Sequence, residues 1–309
     1  MHELSLLHPH GVFLRRDALR FGYDDRDLRR ALGAGQLVRI RHGAYVASKK
    51  WSVADPVARH ILHGHAVMLS HAAPVALSHV SGAAMHGMRL WGSSLERIHV
   101  TRLGVTACRK HHDVAYHDGP SARPFAAVDG SHVLSPAECA IGAASMSSVE
   151  AGLVVVDSAY NLGLCNQDDL RTALRAMERW PGTARLQITL RLASPGAESV
   201  GESRTRFLFW AQGIPRPELQ YVVRDGRELI GIVDFAWPEY GLLGEFDGRV
   251  KYGRLLKPGE RPGDVVYREK IREDRIREVT GWRMIRFGWA DLERPSRTAA
   301  RVRGALGGR

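Results

Sequence analysis

The chain has three cysteines in 309 residues, Cys108, Cys139 and Cys165. An odd number at wide spacing argues against a disulfide framework or a Cys-x-x-Cys zinc motif, and fits a reducing, cytoplasmic setting. Long apolar runs are also missing. None approaches the roughly 20 residues that a bilayer-spanning helix needs. The N-terminal MHELSLLHPHGVF lacks the basic stretch and apolar core of a secretory signal. No long basic helix with an aromatic face is visible, so no membrane partner is expected. Acid is in short supply: 33 Asp and Glu stand against 44 Lys and Arg, a formal charge of +11. That imbalance favours a polyanionic partner, nucleic acid first.

What is present is globular in composition, 44% hydrophobic and 25% charged, with length for two or three domains. The expected fold class is α/β multidomain. Residues 1–50 read as a winged helix-turn-helix, residues 51–193 as a mixed α/β middle domain, and residues 197–309 as a restriction-endonuclease-like α/β domain. A Ser-Pro-Gly cluster at residues 194–196 marks the last boundary.

In the first segment, RRDALRF predicts a short helix stopped by Gly22. A second helix starts near Asp24, carries Leu28 and Leu32 four apart, and ends at Gly33 to Gly35. QLVRIRHGAYV alternates about a His42-Gly43 turn and reads as a two-stranded wing. Arg26, Arg29 and Arg30 are expected on the open side of the second helix, with Arg39 and Arg41 on the wing. Cations there would hold phosphates while the helix enters a groove. The plainer alternative is a solvated charged face.

RDAL, DLRRAL, GQLVRIRHGAYV and the later LSHVSGAAMHGMRLWG resemble AbiEi-type antitoxins of type IV toxin–antitoxin systems. The likeness covers the first third of the chain well and the middle third loosely. It implies DNA binding, autorepression and a nucleotidyltransferase-like toxin as partner.

The middle segment opens a helix at SPAECAIG, where Ser135 and Glu138 form a capping box, and another at NQDDLRTAL with Asn166 and Asp169. LERIHVTR and HDVAYHDG alternate as strands. His60, His63 and His65 cluster, as do His111 and His112, but no acid or cysteine lies at a metal-ligand spacing around them. Packed or surface histidines are the expectation.

In the third segment a helix over 200–212 precedes two strands about Asp225-Gly226. Then comes GIVDFAWPEYGLLGEFDGRVKY. A four-residue loop, PEYG, pairs Trp237 with Leu242 and Ala236 with Leu243, and sets Asp234 against Glu245. Asp247 shares that face. Three carboxylates so placed repel each other, and a divalent cation would relieve the repulsion. The alternative is a longer or bulged loop whose acids point apart and pair with arginines.

The order helix-Glu, strand-Asp, strand-Glu-x-Asp-Gly, basic helix, Gly-Trp and IRF resembles very-short-patch-repair-like endonucleases of the PD-(D/E)xK superfamily. The resemblance implies Mg²⁺ or Mn²⁺ held by Asp234 and Glu245, with Asp247 as a further ligand and Glu202 near the metal. Glu202 equally fits a capping box with Ser199. Asp247 stands where many such nucleases have lysine. Lys270 is the better substitute, on a helix face with Tyr267, Asp274 and Arg277, and Lys251 ranks below it. Two functions follow: a metal-dependent DNA endonuclease, or a non-catalytic DNA-binding antitoxin and autorepressor.

Overall fold

Capping side chains and left-handed glycines place most of the helix ends. The computed structural model describes residues 3–71, 74–103, 111–118, 125–177, 183–248 and 262–307, without the side chains of 262–266. Cys108 and Lys251 lie outside the described residues. The chain divides into two compact units, Met1–Arg191 and Leu192–Arg309.

In the first unit, β1 (Phe13–Leu14) leads into α1 (Arg15–Arg20), whose Asp17 carboxylate accepts the Leu14 N–H at 2.8 Å. Gly22, at φ +85°, turns the chain into α2 (Asp25–Gly33). There Asp24 accepts the Arg26 and Asp27 amides, and Asp27 accepts the Asp24 amide in return. β2 (Leu37–Arg41) and β3 (Ala44–Ala47) follow, and the sheet order is β1-β3-β2. This is the topology of a winged helix. Leu4, Phe13, Ala18, Leu28, Ala31 and Leu37 form its buried core with Tyr45. Each large side chain there contributes about 1.5–3 kcal/mol of burial.

The core behind the wing sheet runs past the border expected between residues 50 and 51. After α3 (Ser48–Val53), α4 (Pro56–Ser70) lays Leu62 and Ala66 on Val12, Leu14, Ile40, Ala44 and Val46. The apolar back of the sheet needs that cover, so the winged helix and the middle segment share a core. The middle segment has β4 (Val75–Leu77), α5 (His79–Met85), β5 (Ile98–Arg102), β6 (Val114–His117), β7 (Phe125–Val128) and β8 (Ser131–Leu134). The sheet order is β6-β5-β4-β8-β7. Four helices follow: α6 (Pro136–Ser145), α7 (Val149–Asn161), α8 (Gln167–Arg175) and α9 (Thr183–Leu192).

The second unit runs α10 (Val200–Ala211), β9 (Glu218–Asp225), β10 (Glu228–Trp237), a 3₁₀ turn over Pro238–Tyr240 and β11 (Leu242–Phe246). Then come α11 (Pro262–Thr280), β12 (Arg283–Phe287), α12 (Trp289–Leu292) and α13 (Pro295–Gly307). β9, β10 and β11 form an antiparallel meander, and β12 pairs parallel with β11 after α11 crosses over. One sheet face packs Phe209, Phe235, Trp237, Phe246 and Phe287 together. The other packs Val223, Val233, Ala236 and Leu243 under Ile276 of α11. Among the described residues no helix is long and apolar enough to cross a membrane.

Candidate nucleic-acid interface and carboxylate site

On α2, Leu28 and Ala31 face the core, and this turns Arg26, Arg29 and Arg30 outward. The acids among them are already engaged. Asp25 is bound by Arg15 at 2.6 Å, which holds its carboxyl below the usual range. The Asp27 amide does the same for Asp24. Arg29 donates to the Asp25 carbonyl at 3.1 Å, and Arg30 lies 3.2 Å from Asp27 on a side chain 77% exposed. Arg26 and Arg39 are exposed, with no side-chain partner among the described residues.

Arg41 departs from the expectation of a free wing arginine. Its side chain is only 9% exposed and forks onto Asp113, Nε to Oδ2 at 2.7 Å and Nη2 to Oδ1 at 3.4 Å. The reason is local. The β2–β3 register slips between Arg39 and Arg41, so the bulged strand no longer alternates and Arg41 leaves the face of Arg39.

The histidines of the middle segment are engaged in packing and hydrogen bonds. His60 meets Ser81 at 2.8 Å and the Leu95 carbonyl at 3.0 Å. His63 bonds the Ile40 carbonyl. His65 bonds Ser131 and stacks on His10 at 3.9 Å. Burial is the first cause that pulls His65 down to about 4 and His10 to about 3.

In the second unit the PEYG loop has four residues and is closed by Gly241 at φ +57°. Trp237 pairs with Leu242, Ala236 with Leu243 and Phe235 with Gly244. The pairing stops there, with Asp234 and Glu245 next along their strands. Asp234 Oδ2 accepts the Phe246 N–H at 2.7 Å, and its other oxygen has no partner among the described residues.

Glu245 is 13% exposed and receives Arg272 of α11 at 2.6 Å, with Arg286 of β12 at 3.9 Å. Arg286 also lies 3.5 Å from Asp247 and 2.5 Å from Glu273. Burial pulls the Arg272 pKa down, but Glu245 and then Glu269 outweigh it, and the guanidinium is held more firmly charged than usual. Guanidinium groups thus supply the charge that these carboxylates call for. Among the described residues no three His, Cys, Asp or Glu side chains are gathered closely enough to hold a metal ion.

Two expected residues stand elsewhere. Lys270 is exposed on the outer side of α11 together with Tyr267, Asp274 and Arg277. Ile276, fully buried, fixes which side of the helix meets the sheet. At about 100° per residue, Lys270 lies ~120° around the helix from Ile276, whereas Arg272 lies only ~40° away. The α11 cation that reaches Glu245 is therefore Arg272. Glu202 is 3% exposed and serves its own helix end. It accepts the Ser199 hydroxyl at 2.7 Å and the Glu198 amide at 2.8 Å, while Ser199 Oγ accepts the Glu202 amide.

Gln220 escaped the sequence reading. It lies across β9 from Asp234, between the pairs Tyr221–Val233 and Leu219–Phe235, and its backbone is left-handed at φ +50°. Its amide donates to Glu202 at 3.5 Å. Here the pleat slips. Leu219 and Phe235 pack on one sheet face, whereas Tyr221 and Val233, two positions along each strand, pack on the other. Non-glycine residues held in this region cost about 1–3 kcal/mol and collect at functional sites. No sequence signal marks it, since glutamine has no preference for the left-handed region.

Residues 4–48 match the family described as "Transcriptional regulator, AbiEi antitoxin". Two uncharacterised proteins of Mycobacterium tuberculosis, MT2308 of strain CDC 1551 / Oshkosh and Rv2248 of strain H37Rv, are each 27% identical over 270 residues. The aligned stretch covers 87% of this chain and 92% of theirs. It is longer than the 191 residues of the first unit, so the likeness reaches into both. The crystal structure of the RV2827C protein from M. tuberculosis aligns at 16% identity with a TM-score of 0.37, over 62% of this chain and 79% of that one.

Proposed function

We propose that this protein is a DNA-binding transcriptional regulator of the antitoxin type, with the winged helix as its DNA-reading part. One observation carries the reading. The span that matches the regulator family presents Arg26, Arg29, Arg30 and Arg39 outward from a helix and wing that pack on the Leu28 and Phe13 core. Phosphate contacts from these arginines would set the register of α2 in the groove. A regulator of this type would repress its own promoter and act with a nucleotidyltransferase-like toxin. The test is fluorescence anisotropy on DNA from upstream of its own gene, across a salt series. Each lost phosphate contact lowers the log–log salt slope by roughly 0.9. Arg26→Ala/Arg29→Ala is expected to flatten it by about 1.8, and an unchanged slope refutes the assignment.

A second reading concerns the other unit, and the Asp234 carboxylate on the Phe246 N–H, one residue from Glu245, favours it. Helix, three antiparallel strands, crossover helix and parallel strand also follow the order expected of a PD-(D/E)xK nuclease core. The donors suit Mg²⁺ or Mn²⁺, because both are hard carboxylate oxygens and arginines now stand in for the cation's charge. Asp234 and Glu245 would hold the ion, with Asp247 as a further ligand. When bound, it would supply an activated water and charge stabilisation at a phosphodiester. Arg272 would have to release Glu245, and Arg286 would remain to face phosphate charge. Plasmid nicking with Mg²⁺ or Mn²⁺ tests this reading. Activity that survives both Asp234→Ala and Glu245→Ala places any cleavage elsewhere.

A further inference from the structure

The helix–turn–helix of the winged helix has a counterpart in the same unit. α1 closes with the Gly22 amide on the Leu19 carbonyl and the Tyr23 amide on the Ala18 carbonyl. α7 closes in the same way, with the Gly163 amide on Tyr160 and the Leu164 amide on Ala159. Gly22 and Gly163 are both left-handed. Each is followed by a capped helix, and the two caps match. Asn166 accepts the Asp168 and Asp169 amides, and Asp169 accepts the Asn166 amide. Leu170 and Ala173 are buried where α2 buries Leu28 and Ala31. The sequences run DLRRAL and DLRTAL. α8 thus holds the place relative to its turn that α2 holds in the winged helix.

Such helix pairs are common in helical proteins, and the repeat alone assigns nothing. The exposed side of α8 adds the second observation. Together with α9 it borders an open groove of about 540 Å³. Arg171 and Arg175, one turn apart on α8, and Arg191 of α9 line this groove, with Gln167, Thr183 and Gln187 as further donors. No acid lines it. Asp169 is used by the helix cap. Asp168 touches Arg171 at 3.4 Å on a side chain 87% exposed, a contact that water weakens and an anion can displace.

We propose that the α8–α9 groove is a second DNA-binding surface, one that takes backbone phosphates through Arg171, Arg175 and Arg191. Duplex DNA is the occupant the observations favour. The groove is open, its donors are guanidinium, amide and hydroxyl groups, and the supporting helix pair is built like the first one. The proposal rests on the DNA-binding reading above.

The experiment uses the full chain and a duplex that it binds. Arg171→Ala/Arg175→Ala/Arg191→Ala is measured by anisotropy from 50 to 300 mM KCl, on the order of the range over which phosphate contacts are read. The expected result is at least about a tenfold weaker Kd and a salt slope flatter by about 2.7, three contacts at roughly 0.9 each. The triple lysine variant, which keeps the charge, retains most of the slope, and Arg175→Glu alone weakens binding more than Arg175→Ala. A folded triple alanine variant with unchanged Kd and slope overturns the proposal, and so does one that loses only an acidic protein partner. If Arg26→Ala/Arg29→Ala loses binding while the triple variant keeps it, the winged-helix reading stands and this proposal falls. A wild-type chain that binds no duplex removes both.

Discussion

Arg41→Ala is expected to destabilise the first unit and leave its salt slope on DNA unchanged, whereas Arg39→Ala does the reverse. The two residues are two apart in one strand, and the sequence treats them alike. Arg41 is 9% exposed and forks onto an Asp113 side chain that is 30% exposed. Truncation leaves that carboxylate without its partner, a cost of about 1–3 kcal/mol. Partial exposure of Asp113 places the loss near ~2 kcal/mol, which for a unit of this size is about 4–8 °C in Tm. The pH dependence follows from Asp113. Its partial burial raises the pKa, but the hydrogen bond and charge of Arg41 outweigh that, and the folded value lies below the ordinary one. A depressed carboxylate contributes stability above its unfolded pKa and loses it as pH falls through the folded value. The gap between wild type and Arg41→Ala is thus full at neutral pH and closes as the pH falls below about 4. Thermal melts at both pH values and an anisotropy salt series give the readout. An Arg41→Ala chain with wild-type Tm and a flattened slope would refute the reasoning.

Gly201→Ala is expected to cost the second unit about 3 kcal/mol or more, at or beyond the usual range for overpacking. A Cβ there would lie 1.9 Å from the Phe246 ring in the main core, and denaturant titration would show the loss. Gln220→Gly relieves the left-handed backbone and is expected to stabilise the same unit by about 1 kcal/mol. If the nuclease reading holds, it also lowers Mn²⁺-dependent nicking, and a destabilised variant would argue against strain at this position. Ser199→Ala removes a helix cap and should lower stability by about 1 kcal/mol. A cost near zero in denaturant titration would free Glu202 from its capping role. Arg272→Gln releases Glu245 from a charge-assisted bond, and Mn²⁺ affinity by calorimetry is expected to rise about tenfold, the equivalent of ~1.4 kcal/mol. Unchanged or weaker binding would count against a metal on Glu245.

What the sequence made legible was written within a few residues. Asp24 with Asp27 and Asn166 with Asp169 announce helix starts, and Gly22 and Gly281 announce helix ends, because a cap is a bond between near neighbours. The pairs Trp237–Leu242 and Ala236–Leu243 could be read because Pro238 and Gly241 fix a short loop and the next positions follow by counting. The misplacements share one cause, a break in local periodicity or an anchor outside the window. A bulge turned Arg41 inward, and a left-handed glutamine slipped the pleat beside Asp234. The charged face of α11 points to Lys270, although the helix is oriented by Ile276, which is fully buried under the sheet. Counting from that apolar anchor first would have picked Arg272. Buried anchors likewise leave Arg26 and Arg29 outward on α2 and Arg171 and Arg175 outward on α8. In each of these helices the leucine and alanine that face the core decide which arginines are free to meet a phosphate.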